Sequence, residues 1–129
     1  MTCALCLQEK ELTESHILPE FLYKNVYDPD HSFFSMSTVA DQPTKKHRQG
    51  IYEKLLCSDC EQVIGEYEDY AAKVLNGGTR ISVQQFPEKL IIGNLDYTRL
   101  KLFQVSLLWR AGVSANTAFR DIELGPHAE

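Results

Sequence analysis

The sequence has no long hydrophobic run. Its longest apolar stretch, around Leu107-Leu108-Trp109, is cut by Arg110 and falls far short of the roughly 20 residues a membrane-spanning helix needs. No membrane partner is expected. The basic-then-apolar opening of a secretory signal is missing too, which makes the cytoplasm the expected compartment. Positive charge is not in excess: 13 Lys and Arg stand against 18 Asp and Glu, a net −5. That balance weighs against broad affinity for a phosphate backbone, which comes from clustered Lys and Arg. A local patch can still bind, and the one basic run is Lys45-Lys46-His47-Arg48, read by itself as a solvated loop after Pro43. Internal repeats and low-complexity tracts are absent. The 43% hydrophobic content excludes a largely disordered chain, and 129 residues suffice for one domain with its own core.

Cysteine is scarce but not scattered. The four cysteines form two C-x-x-C pairs, Cys3/Cys6 and Cys57/Cys60, about fifty residues apart. A C-x-x-C turn aims two thiolates at one tetrahedral ion, and two such turns complete a closed tetrathiolate site with Zn–S distances of ~2.3 Å. In a reducing compartment, free thiols or metal ligands are favoured over disulfides. The other readings are buried thiols and a single redox C-x-x-C. A redox pair wants a strand before it and a helix after it, a context that Cys57-Ser58-Asp59-Cys60 partly meets and Cys3 does not. A shared structural zinc is the expectation, clasping the N-terminus to the start of the main helix.

Periodicity supplies the rest. Val63, Tyr67, Tyr70 or Ala71, and Val74 recur at helical spacing and predict a helix over 58–75 with one apolar stripe, stopped by Asn76-Gly77-Gly78. Asp96 is placed to cap a second helix over 97–111 with Leu100, Phe103, Leu107 and Ala111 on one side. Leu102, Leu107, Leu108 and Trp109 give that helix apolar residues on several faces, as in a deeply buried or interface helix, so a homodimer is one expectation. Pro19 opens a short helix over 19–27 with Phe21, Leu22 and Val26 inward. Short strands are expected at 11–14, 33–36, 81–83, 90–92 and 119–124, with a hairpin turn at Pro87-Glu88-Lys89. Residues 41–50 read as a loop. The final Gly-Pro-His-Ala-Glu offers no terminating element, as expected for a piece of a longer chain.

The stretches "CALC…LTESHILPEF" and "GIYEKLLCSDCEQ" resemble, over residues 3 to about 75, the zinc-containing branch of the HNH or ββα-metal nucleases. The chain is also similar over its whole length to uncharacterised bacterial HNH-like proteins with a C-terminal "KLFQVSLLWRAGVS" segment. The resemblance implies an α+β fold: a zinc-clasped ββα-metal core over 1–78, then a hairpin and packing helix over 79–129, in one compact domain. It implies that Cys3, Cys6, Cys57 and Cys60 hold the zinc. It implies that His16 is the general base of an endonuclease that hydrolyses phosphodiesters in nucleic acid, DNA ahead of RNA. A second divalent ion, magnesium, manganese or zinc, would stabilise the leaving oxygen. Imidazole suits the base role because its ordinary titration range lies near neutrality.

Three positions depart from the family pattern. Ser15 stands where a metal-binding Asp, Glu or His is usual. Glu61 replaces the helix-borne Asn or His, and Glu53 the middle Asn. Glu61, a good hard-cation ligand, and Glu14 are the candidate ligands of the second ion. The alternative is a catalytically degenerate zinc module that binds a protein or nucleic-acid partner. His31 and His47 are weighed as cleft or phosphate contacts against plain turn and loop positions. His127 carries no readable signal.

Overall fold

The computed structural model describes residues 1–127. The chain is α+β, with short antiparallel strand pairs and helices. In chain order these are β1 (Leu12–His16), α1 (Glu20–Tyr23), β2 (Phe33–Ser35), β3 (Lys45–His47), β4 (Tyr52–Cys57), α2 (Ser58–Leu75), β5 (Ser82–Gln85), β6 (Leu90–Gly93) and α3 (Tyr97–Val113). The strands pair as β1 with β4, β2 with β3 and β5 with β6, all antiparallel.

The β1–β4 pair and the two long helices enclose the core. Leu12, Ile17, Leu55, Leu56, Ile64 and Ala111 are buried together with Cys3 and Cys57. The pairing skips Leu55 between Thr13↔Leu56 and Glu14↔Lys54. Such a bulge breaks the strict alternation of a strand, and it lets Leu55, Leu56 and Cys57 all be buried in succession. Ile17 and Leu56 are wholly buried, each contributing about 1.5–3 kcal/mol by leaving water. β4 runs without a linker into α2, so strand register fixes the phase of the helix.

The α2 helix spans the expected residues, but its inward face is rotated. Ile64 and Ala71 are the buried positions, while Val63 is exposed. Glu61 and Glu68 share the inward helical spacing with them. The stripe read from Val63 and Tyr67 lies instead along an open apolar groove, completed by Leu102, Val105 and Trp109 of α3. The α3 helix is capped as expected, Asp96 accepting from the Arg99 backbone N–H at 3.1 Å. Its buried set is Phe103, Ser106, Arg110 and Ala111, so Leu107 yields its expected place to a charged residue.

Three local expectations are corrected. The helix after Pro19 is only four residues long, because Asp28 organises a turn that draws the chain back; Val26 is exposed and Tyr23 takes the core place. The expected loop over 41–50 contains β3. The expected strand at 119–124 is replaced by a 3-10 turn, Thr117–Phe119, started by Asn116 accepting from the Ala118 N–H. The β5–β6 hairpin forms at the expected turn, yet its strand residues are almost all exposed.

Shortening the cap on α3 tests the packing of that helix. Asp96→Ala is expected to cost about 1 kcal/mol, read by urea denaturation. No change would show that the cap is dispensable to the α2–α3 layer.

Candidate metal centre and the His16 site

The four cysteines converge. Their Sγ atoms all lie within 4.8 Å of one another, and Cys6 and Cys57 are 3.9 Å apart. Four sulfurs tetrahedral about an ion at ~2.3 Å stand about 3.8 Å apart, so the donors fit one closed four-coordinate site. The first knuckle is shaped by Leu7 N–H donating to the Cys3 carbonyl at 2.9 Å. That turn forces Leu7 to φ 58°, a left-handed conformation that ordinary side chains avoid. The second knuckle begins α2, whose positive N-terminal end faces the sulfurs.

The thiols are polarised against one another. Burial pushes the Cys3 thiol up, but backbone N–H groups of Cys6, Cys57 and Leu5 outweigh it and hold the group at about 6. Burial, followed by hydrogen bonds to Cys57, Cys3 and Cys6, pushes Cys60 up to about 12. Protein groups alone therefore favour a thiolate at Cys3 and a thiol at Cys60. A bound cation supplies the charge that lets all four ionise.

Strand alternation divides the candidate residues between two faces of the β1–β4 pair. Ser15, wholly buried, faces α2 and donates to Glu61 Oε2 at 2.7 Å. Glu53, paired across from Ser15, accepts from the Ser114 hydroxyl at 2.5 Å and the Ala115 N–H at 3.1 Å. It ties down the end of α3. Glu14 is exposed and paired with Lys54; two residues from His16, it falls on the His16 side and not with Glu61. The structure thus brings Ser15 to Glu61 and leaves Glu14 apart from them.

A cation is buried farther along α2, at Glu68, about two helical turns from Glu61. Arg110 of α3 is 0% exposed. It donates to the His16 carbonyl at 2.7 Å, to Glu68 Oε1 at 2.5 Å and to the Ser106 carbonyl at 3.4 Å. Burial raises the Glu68 carboxyl above its ordinary range, Arg110 draws it back, and the nearby Glu61 charge raises it again. Among the described residues, no group of three His, Cys, Asp or Glu ligand atoms converges other than the four cysteines. The Ser15–Glu61 seat therefore does not fit a second divalent ion: it offers one carboxylate, already accepting from a serine hydroxyl, and no converging third ligand among the described residues.

His16 lies on the other face, its side chain 29% exposed. Its ring packs on Tyr52 with centroids 4.3 Å apart. Nε2 stands 3.3 Å from Glu20 Oε2, an ion-pair distance; both atoms are buried and neither makes an aligned hydrogen bond. Tyr27 donates to the other Glu20 oxygen at 2.7 Å. Gly50 leaves the room for this arrangement, since a Cβ there would meet the Tyr23 ring at 2.7 Å and Glu20 Oε2 at 3.3 Å. Sequence reasoning missed Glu20, Glu68 and Arg110. For Arg110 the signal was present: a charged residue interrupting the apolar Leu107-Leu108-Trp109 segment at a core position. Glu20 carried none, because its approach to His16 depends on the turn through Pro19.

Set against family models, curated proteins and solved structures, the chain matches none of them.

Two outcomes test this geometry. Elemental analysis of reduced protein is expected to find one tightly held ion per chain, lost in Cys57→Ser together with the cooperative unfolding transition; a metal-free, fully folded chain would overturn the centre. Arg110→Ala is expected to destabilise the fold by about 3–5 kcal/mol, the usual cost of stranding a buried partner charge. Adding Glu68→Gln to it should recover a measurable part in denaturant titrations, and no recovery would show that the pair does not act as a unit.

Proposed function

We propose that the chain is a nuclease of ββα-metal type, clasped by a structural zinc at Cys3, Cys6, Cys57 and Cys60, with His16 as general base. One observation carries the reading: a partly exposed imidazole at the end of β1 has its Nε2 turned toward a carboxylate. With Nε2 turned toward Glu20, Nδ1 is the ring nitrogen left to accept a proton from water or a hydroxyl. The order β1, β4, α2 around the cysteine cluster supports the resemblance from which the role of His16 comes. Zinc is the ion a closed tetrathiolate set suits best in the cytoplasm. Compensation of phosphate charge falls to the chain's own cations, and the basic run lies on β3, next to the aromatic residues that back Glu20.

A second reading has its own support. Ser15 and Glu61 satisfy each other, and Glu53 is committed to α3. That is the pattern of a zinc-clasped scaffold kept for binding after loss of catalysis.

Cleavage assays on single- and double-stranded DNA and RNA, with magnesium, with manganese and with neither, decide between them. His16→Ala is expected to slow cleavage by at least about 100-fold, the lower end for a general base, with zinc content and melting unchanged. Absence of cleavage by the wild type on every substrate gives the function to the binding module.

A further inference from the structure

We infer that the β2–β3 hairpin is a binding arm for single-stranded nucleic acid, with bases stacking on one side and phosphates held on the other. This deepens the nuclease reading of the His16 site by naming the form of its substrate, and rests on that reading for the use made of the bound strand. Register separates the two sides. Phe34 pairs with Lys46, while Phe33 and Ser35 pair with His47 and Lys45, so alternate residues serve opposite faces.

The stacking side presents Phe34, 60% exposed, with the Lys46 ammonium 5.7 Å from its ring centroid. An exposed ring beside a cation is the pairing that accepts an unpaired base and its phosphate. A second exposed ring, His31, lies toward the opposite, Phe33 side of the arm through Tyr27. Asp28 accepts from the Ser32 hydroxyl, the Ser32 N–H and the Asp30 N–H at 2.8, 2.8 and 3.0 Å. These bonds lock the turn that carries His31 at φ 53° and lay its ring on Tyr27 at 3.9 Å. A β-type arm offering ring faces suits splayed bases, whereas bases inside a duplex are stacked on one another.

The phosphate side borders a cleft of about 420 Å³ lined by Ser35, Lys45, His47, Asn116 and Arg120, with Asp121 as its one acid. Arg120 and Asp121 stand 3.6 Å apart, and among the described residues Lys45 has no salt-bridge partner there. Ser35 Oγ lies 2.8 Å from His47 Nε2, and His47 stacks on Phe33 at 5.0 Å. The arm joins the His16 site through packed rings: Phe33 meets Tyr23 and Tyr27 at 5.2 and 5.8 Å, and Tyr27 donates to Glu20. The chain's one basic run is thus a strand anchored beside the proposed base, on a protein whose net charge is −5. A polyanion meets a local positive patch on an otherwise repelling surface, which steers it to this arm.

Fluorescence anisotropy with short labelled oligonucleotides tests the arm, using zinc-loaded full chain and matched single-stranded DNA, single-stranded RNA and duplex. Single strands are expected to bind at least about tenfold tighter than duplex, the two single-strand arms showing which sugar is preferred. Phe34→Ala should weaken binding about tenfold, as for loss of one stacked base. Lys45→Ala with Lys46→Ala should weaken it further and flatten its salt dependence. Zinc content and circular dichroism establish that each variant is folded. Equal affinity for duplex and single strand, or indifference to Phe34→Ala, overturns the inference. His16→Ala should bind as the wild type does; binding without cleavage by the wild type upholds the arm and sinks the nuclease reading alone, while cleavage that does not depend on Phe34 does the reverse.

Discussion

Convergence of four sulfurs is the constraint on which the rest of the structure depends. The cluster joins residues 3–6 to residues 57–60, closing a loop of about fifty residues, and the chain between them holds both strands of the core pair. Without that closure, a five-residue and a six-residue strand make a marginal sheet, since an isolated two-stranded pair is barely stable in water. With it, β1 is fixed in register against β4, and β4 hands its phase directly to α2. Cys3 and Cys57 are also core residues, packed with Leu12, Leu56 and Ile64. An ion held by the four sulfurs would therefore stabilise the same few side chains that hydrophobic burial does, and with them the strained turn at Leu7.

The consequence is a division of labour between the two faces of the strand pair. One face is closed. Ser15 bonds Glu61, Arg110 bonds Glu68 and the His16 carbonyl, and Glu53 bonds Ser114 and Ala115. The last two sets of contacts attach the C-terminal helix to the core. The other face is open. His16, Tyr52, Glu20 and Tyr27 lie there with the β2–β3 hairpin beyond them. Chemistry on a substrate needs an accessible group, and of the two faces of this strand pair only the open one offers a partly exposed histidine.

What could be read from the sequence follows from the range of the interactions involved. The α2 boundaries and the Asp96 cap are local, set by spacing and by side chain to backbone hydrogen bonds within one turn, and they emerge correctly. The cysteine pairs are a long-range feature with a spacing code, and the code is specific enough to bring them together. The inward face of α2 was misjudged because Tyr67 and Val63 are apolar yet lie along the open groove, while Glu68 is charged yet turned inward by a partner 42 positions away. A hydrophobic pattern cannot register a carboxylate buried by an arginine on another helix. The short α1 and the strand at Lys45–His47 were hidden for a related reason: each depends on the turn organised by Asp28 and on ring packing around Phe33, not on any periodicity of its own.

Arg110 weighs against a divalent ion on the inner side of the strand pair. A divalent ion between Ser15 and Glu61 would need carboxylates or imidazoles free to coordinate it. Here Glu61 accepts from a serine hydroxyl, and Glu68, about two turns along the same helix, faces a guanidinium that is wholly buried. A fixed guanidinium and a divalent ion compete for the same negative charge, and an ion entering beside Arg110 would also meet direct repulsion in a poorly hydrated interior. The guanidinium further holds the His16 carbonyl, so moving it aside would disturb the backbone of the very residue an ion was meant to assist. The same side chain therefore closes the inner seat and steadies the outer imidazole. That coupling keeps the backbone of His16 in place through α3, with no need of an ion on the inner side.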